Sequence, residues 1–161
     1  MFKRKITIGD YFNLLFILFE NEEKNLIKIE NYELNKLDQN LLKKEYQYYS
    51  FCMLLHLVYK FTNDDDLSDI IMGILIKMYV DKNSSEKTII FDRIGEYLDI
   101  FDDEDDYKKA IEKAGFAFSE HVNGGLTIMM IGVTQFALFI KYNTDHIIDI
   151  INILKTQKKQ F

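Results

Sequence analysis

Proline and tryptophan are absent from this sequence of 161 residues, and only 7 glycines occur in it. Tight turns and short strands depend on proline and glycine, so their scarcity favours helices joined by polar loops. The 13 phenylalanines and 10 tyrosines favour strands instead, so residue propensity alone does not decide the fold. A chain of this length predicts one domain, residues 1–161, that is large enough to bury its own core.

Cysteine is represented by Cys52 alone, which excludes an internal disulfide and predicts a reducing compartment inside the cell, the cytoplasm. The net charge of −6 argues against nucleic acid as a partner, because phosphate binding needs a basic surface. The basic start Met1–Lys5 and the apolar run Tyr11–Phe19 have the outline of a signal peptide. Asp10 interrupts that outline and no small-residue cleavage site follows, so we expect the first helix here.

The spacing of apolar residues predicts six or seven helices. One runs from about Gly9 to Asn21 and a long one from Leu41 to Phe61. Three amphipathic segments follow, at 67–78, 90–101 and 107–118, with a capping box at Asn83–Glu86 between the first two. Asn143, Thr144 and Asp145 predict the cap of a separate last helix. The alternating stretch Ile27–Glu30 fits a short strand, a loop or a frayed helix.

The longest apolar run extends from Leu126 to Ile140. Its only residues that are not plainly apolar are Thr127, Gly132, Thr134 and Gln135. A helix that is apolar on nearly every side has no face for water and belongs at the centre of a bundle. The run is shorter than the roughly 20 residues that cross a bilayer, so we expect no integral membrane segment. The sequence thus predicts an all-α fold of six to seven helices around a central apolar helix, 126–141.

Residues that carry chemistry form no convincing constellation. His56, His121 and His146 lack a second ligand at metal-binding spacing. His56 lies among leucines and is expected in the core or at its boundary, while His121 near a helix end would complement the helix dipole. The acidic run Asp102–Asp106 lacks the glycine of a calcium loop and is expected to open a helix. We therefore predict no catalytic residue, no metal and no cofactor, and a protein that is not an enzyme.

The segment Phe118–Leu126 resembles the first homology motif of the Bcl family of apoptosis regulators. That motif reads roughly Phe-x-Asp-Gly-Val-Asn-Trp-Gly-Arg and precedes a buried apolar helix. The matching residues are Phe118, Val122, Asn123 and Gly125. Gly124 stands in place of the family tryptophan, and Leu126 stands in place of an arginine that pairs with an aspartate of the bound helix. Leu126 cannot form that charge-assisted bond, so binding would depend on apolar contacts or on another basic residue.

The pattern resembles the divergent Bcl-like proteins of large DNA viruses better, those of poxviruses especially, since these are small and helical and often lack clear motifs. The resemblance implies a Bcl-like bundle and an intracellular protein that sequesters either a pro-apoptotic helix or a host signalling adaptor. The sequence leaves a homodimer open.

A groove between adjacent amphipathic helices would accept such a partner helix through anchors at i, i+3, i+4 and i+7. The residues that we expect to line it are Phe51, Leu55, Tyr59, Leu67, Ile71 and Ile74. Asn123 and Gly125 are expected to shape its base. The alternative is a small helical inhibitor or immunity-type protein from an AT-rich microbe or phage. Such a protein would bind its target through an acidic surface, Asp102–Asp106, and salt would weaken that contact.

Overall fold

The computed structural model describes residues 6–27, 31–102 and 106–158. Within these ranges the chain forms seven α-helices and one short 3₁₀ turn, and no strand. The helices are α1 (Ile8–Ile27), α2 (Tyr32–Asn35), α3 (Gln39–Thr62), α4 (Asp65–Lys82), α5 (Lys87–Asp102), α6 (Tyr107–His121) and α7 (Leu126–Thr156), and the turn is Ser84–Glu86. The predicted all-α bundle is confirmed. Ile27 ends α1, and the rest of the alternating stretch, residues 28–30, lies outside the described residues.

Short polar side chains begin four of these helices. Asn31, Asp38, Asp64 and Asp106 accept hydrogen bonds from backbone N–H groups in the first turns of α2, α3, α4 and α6. Each such cap stabilises its helix by about 1 kcal/mol, because the first N–H groups have no partner within the helix. The predicted capping box at Asn83–Glu86 is wrong, since Asn83 makes no side-chain cap there.

Helix α3 is the centre of the bundle, because it contacts α1, α4, α5, α6 and α7. An unbroken run of its residues, Tyr48 to Leu55, is buried on all sides. Aromatic rings pack around it in two groups. Phe16 and Phe19 of α1 meet Phe51 and Tyr79 on one side. On the other side the group is Tyr49, Tyr97, Phe118 and Phe136.

The expectation that 126–141 forms the central helix is wrong. This segment is the first half of α7, which packs against α6, α3 and α1 and leaves its opposite side uncovered. Leu126 is 71% exposed and Met130 is 61% exposed. By length and hydropathy, α7 is also the one described helix that could span a membrane, a test that core helices of soluble proteins pass as well.

The predicted last helix with its own cap is wrong, because α7 continues without a break to Thr156. The amide of Asn143 donates a hydrogen bond to the Phe139 carbonyl (3.0 Å), and the Thr144 hydroxyl donates to the Ile140 carbonyl (2.7 Å). Both side chains therefore bond to the preceding turn of the same helix. Polar residues with this geometry are tolerated inside a helix, so they mark no boundary here.

Helices α6 and α7 form a hairpin in which two glycines face each other, since a Cβ atom added to Gly132 would lie 3.4 Å from Cα of Gly115. A Cβ atom added to Gly115 would lie 2.7 Å from Cγ2 of Val133 and 3.1 Å from the carbonyl oxygen of Met129. A Cβ atom added to Gly132 would lie 3.0 Å from the Phe118 ring. Larger side chains at these two positions would push the helices apart, so glycine permits the close approach.

Candidate functional site

The turn between α6 and α7 contains the residues of the Bcl-like motif. Asn123 adopts the left-handed conformation with φ of 54°, and its neighbours Gly124 and Gly125 do not. The backbone N–H of Gly124 donates to the Ser119 carbonyl (2.7 Å), and the Ser119 hydroxyl donates to the Gly125 carbonyl (3.0 Å). An asparagine, not a glycine, therefore supplies the reversal, in keeping with its tolerance for this conformation.

A chain of polar side chains holds the end of α6 to α5 and α3. Nε2 of His121 lies 2.8 Å from a carboxylate oxygen of Glu96, and Glu96 accepts a hydrogen bond from Arg93 (3.4 Å). Nε of Arg93 donates to both carboxylate oxygens of Glu45 at 3.0 Å. The Glu45 side chain is 4% exposed, so its charge depends on this partner. His121 thus pairs with a carboxylate on another helix, a contact that the sequence did not predict.

An open apolar groove lies between α5, α6 and the start of α7. Its lining residues are Ile100, Glu112, Lys113, Phe116, Ala117 and Met129, and its volume is about 410 Å³. Phe116 is 53% exposed, which is unusual for a large aromatic side chain in a monomer. Glu112 and Lys113 supply the charged rim, since both are exposed. We refer to Ile100, Phe116, Ala117 and Met129 as the apolar groove.

The apolar groove continues along α7. Leu126 precedes Met129 by one helical turn, and Met130 follows directly, so all three share one side of the helix. Beyond Met130 there is a second open hollow of about 380 Å³. Its lining residues are Thr127, Met130, Ile131, Thr134 and Gln135. The surface offered to a partner is therefore longer than one side chain and contains flexible methionines, which adapt to different contacts.

The groove predicted from the sequence is only partly accessible. Phe51, Leu55, Leu67 and Ile71 are 0% exposed and pack inside the bundle, so the prediction that they line an open groove is wrong. Ile74 is partly buried against the core. These side chains are covered because α4 packs its apolar side directly onto α3.

Asn123 and Gly125 lie at the surface, at the turn that leads into α7. Gly125 is the residue directly before α7, and Asn123 is two residues earlier. That turn joins α6 and α7, whereas the other residues of the predicted groove belong to α3 and α4.

Tyr59, which is 52% exposed, lines a small cleft between α3, α4 and α5. The other lining residues are His56, Asp69, Met72, Leu98 and Asp102, and the volume is about 150 Å³. The His56 ring stacks on Phe101 with centroids 4.1 Å apart. Burial and, to a lesser extent, the charge of Lys60 lower the pKa of His56 to about 4, so its imidazole is neutral at pH 7. His56 therefore borders the core, as predicted.

The structure describes only the two ends of the acidic run Asp102–Asp106. Asp102 ends α5 and is exposed, Asp106 caps α6, and residues 103–105 lie outside the described ranges. Among the described residues, no group of three or more His, Cys, Asp or Glu side chains is arranged to hold a metal ion.

Phe116, the exposed aromatic ring of the apolar groove, was not among the residues predicted from the sequence. Its position carried a signal, because the buried stripe of α6 is Ala110, Ala114, Ala117 and Phe118. Phe116 falls outside that stripe, beside the exposed Glu112 and Lys113. A large aromatic residue on the charged side of an amphipathic helix indicates a contact outside the core.

Comparison of the chain with protein-family models, with curated proteins and with solved structures finds no match.

Proposed function

We propose that this protein is a non-enzymatic interaction module that binds an amphipathic helix of a partner protein in the apolar groove. The observation that carries the proposal is Phe116, a half-exposed aromatic ring in an open hollow formed by three helices. Large exposed apolar patches on soluble proteins mark contact surfaces more often than they mark anything else. Aromatic side chains in such patches supply much of the binding energy.

The apolar groove is open, so the side of a partner helix can reach it. Ile100, Phe116 and Met129 come from three different helices, and Leu126 extends the apolar surface by one turn of α7. A bound helix presents apolar anchors at i, i+3, i+4 and i+7, which match a groove of this kind. Covering the exposed half of Phe116 contributes roughly 1–1.5 kcal/mol, close to a tenfold change in affinity.

The resemblance to the Bcl family supports the choice of a helix as the partner. It points to a pro-apoptotic helix or a host signalling adaptor, and poxvirus-type regulators are the proposed relatives. Leu126 stands where the family has its arginine, and the exposed leucine offers an apolar contact at that place. Binding by this chain is therefore proposed to be less dependent on charge than binding by the family. A cytoplasmic location belongs to the same proposal, because Cys52 is buried and unpaired.

Fluorescent peptides of pro-apoptotic helices, with scrambled peptides as controls, test this proposal by anisotropy at two salt concentrations. We expect submicromolar binding of some peptides, with little change at high salt, because apolar contacts are not screened. Phe116→Ser should weaken that binding at least tenfold.

Phe91→Ser is the matched control, because Phe91 is 47% exposed on α5 and does not line the groove. Equal loss in both variants, or binding that salt abolishes, would refute the groove. Binding of scrambled peptides with the same affinity would refute a helix-specific function. Circular dichroism should show unchanged helix content in both variants, because both rings are exposed.

A further inference from the structure

The small cleft on the other flank of α5 brings three helices together around a space of about 150 Å³. Each helix contributes two side chains that are one turn apart, which is how neighbours on one helical face are spaced. They are His56 and Tyr59 of α3, Asp69 and Met72 of α4, and Leu98 and Asp102 of α5. Ile100 lies on a different side of α5, in the apolar groove, so the two sites are separate.

The charge of this cleft is unbalanced. The carboxylates of Asp69 and Asp102 are exposed and make no ion pair or hydrogen bond within the described part of the chain. None of the lining residues is basic, and His56 is neutral at pH 7. The nearest cation on α3 is Lys60, which does not line the cleft and whose Nζ lies 3.7 Å from the centroid of the Tyr107 ring. The two carboxylates that line the cleft therefore have no direct ion-pair partner within the described part of the chain.

The remaining lining residues favour an organic cation over a metal ion. The ring of Tyr59 lines the cleft and is half exposed, and an aromatic ring attracts a cation over its face. Met72 and Leu98 provide apolar contact for a short alkyl chain, and the thioether of Met72 also accepts from the Ser68 hydroxyl (3.6 Å). The described carboxylates and histidines do not converge into a metal-binding group. Two carboxylates on separate helices suit a ligand that has several N–H donors and an alkyl chain.

We propose that the cleft lined by His56, Tyr59, Asp69, Met72, Leu98 and Asp102 binds a small organic cation, an alkylguanidinium or alkylammonium group. The cation lies between the two carboxylates and against the Tyr59 ring, and its alkyl chain contacts Met72 and Leu98. The volume accommodates a group of this size and excludes a nucleotide or a larger cofactor. The same group is available as a free amine and as the end of an arginine or lysine side chain of a partner protein.

Titration of the full chain with butylguanidinium, followed by ¹³C-methyl methionine NMR, tests the proposal. The Met72 signal is assigned with Met72→Leu. We expect a saturable shift of that signal with a Kd of about 1 mM or below, the range for ligands of a few atoms. Butylurea has nearly the same shape without the charge and should cause no saturable shift. An equal response to butylurea, or no saturation with butylguanidinium, would overturn the proposal.

Paired charge variants separate the cleft from the general surface potential. Asp69→Asn with Asp102→Asn should weaken butylguanidinium binding about tenfold or more, since two charge contacts are lost. Asp92→Asn with Asp99→Asn changes the net charge equally, and both residues are exposed on α5 outside the cleft. That control should change the Kd by less than about twofold, because screened charges outside the cleft contribute little. Equal weakening in both double variants would contradict a site.

A last comparison identifies the source of the cation. Acetylated pentapeptides with one central arginine, and with citrulline as the neutral control, are titrated in the same way. Tighter binding of the arginine peptide than of butylguanidinium assigns the cleft to a partner side chain. Equal or weaker binding of that peptide assigns it to a free amine. Neither result depends on the apolar groove, since Phe116→Ser should leave both titrations unchanged.

Discussion

Replacing Gly115 by alanine tests the close contact between α6 and α7 directly. The added Cβ atom would lie 2.7 Å from Cγ2 of Val133 and 3.1 Å from the carbonyl oxygen of Met129. Overpacking of this kind costs about 1–3 kcal/mol, because two rigid helices must separate or distort. Alanine is also about 1 kcal/mol better than glycine inside a helix, so the net loss understates the steric cost.

Gly73→Ala is the matched control that removes this ambiguity. Gly73 lies inside α4, and a Cβ atom there would meet nothing within 4 Å. Its replacement should raise the free energy of unfolding by about 0.5–1 kcal/mol through helix propensity alone. The difference between the two variants then isolates the steric cost, which we expect to be about 1–3 kcal/mol.

Urea denaturation followed by circular dichroism at 25 °C measures both changes on the same scale. Val133→Ala removes the Cγ2 atom that the new Cβ would contact, so it should partly rescue Gly115→Ala. A double-mutant cycle gives this coupling, and values of at least about 0.5 kcal/mol are measurable. If Gly115→Ala is as stable as Gly73→Ala, or if the cycle shows no coupling, the helices do not approach as described.

Two further predictions concern buried polar groups. Arg93→Met leaves the buried Glu45 carboxylate without its cation and should lower the free energy of unfolding by roughly 3 kcal/mol, as measured in urea. Adding Glu45→Leu should recover most of that loss, and no recovery would show that the charge is solvated. For His56, the folded pKa of about 4 lies below the unfolded value of 6.5, so stability falls as the pH is lowered through this window. Between pH 7 and pH 5, the free energy of unfolding of His56→Phe should therefore fall by about 2 kcal/mol less than that of the wild type. If both proteins show the same pH dependence, His56 does not titrate in this way.

Helix positions could be predicted from the sequence, because apolar spacing and capping residues are local properties. The stripes Ile90–Phe101 and Tyr107–Phe118 fall within α5 and α6. The centre of the bundle could not be predicted in the same way. Helix α3 contains Ser50, Thr62 and Tyr49, whose hydroxyls donate to the carbonyls of Tyr46, Val58 and Gly132. A hydroxyl that donates to a backbone carbonyl can be buried at little cost. In the sequence, however, such residues make α3 less apolar than a central helix is expected to be.

The reverse holds for α7, whose apolar residues include the exposed Leu126 and Met130. An apolar side chain can be buried, but the sequence does not show whether another helix covers it. The same limit explains the partial failure of the predicted groove. The residues of α3 and α4 do form a stripe, and the stripe of one helix covers that of the other. Phe116 was not predicted because the spacing of apolar residues identifies the buried stripe of α6, and Phe116 lies outside that stripe.

The central position of α3 also determines how the protein opens to solvent. Because α3 contacts five other helices, its backbone amides become accessible only when most of the bundle has separated. Amide hydrogen exchange in α3 therefore reports the free energy of global unfolding, while shorter elements such as α2 exchange through local fluctuations. A ligand bound in the apolar groove should slow exchange in α3 as much as it raises the global stability, although no residue of α3 lines that groove.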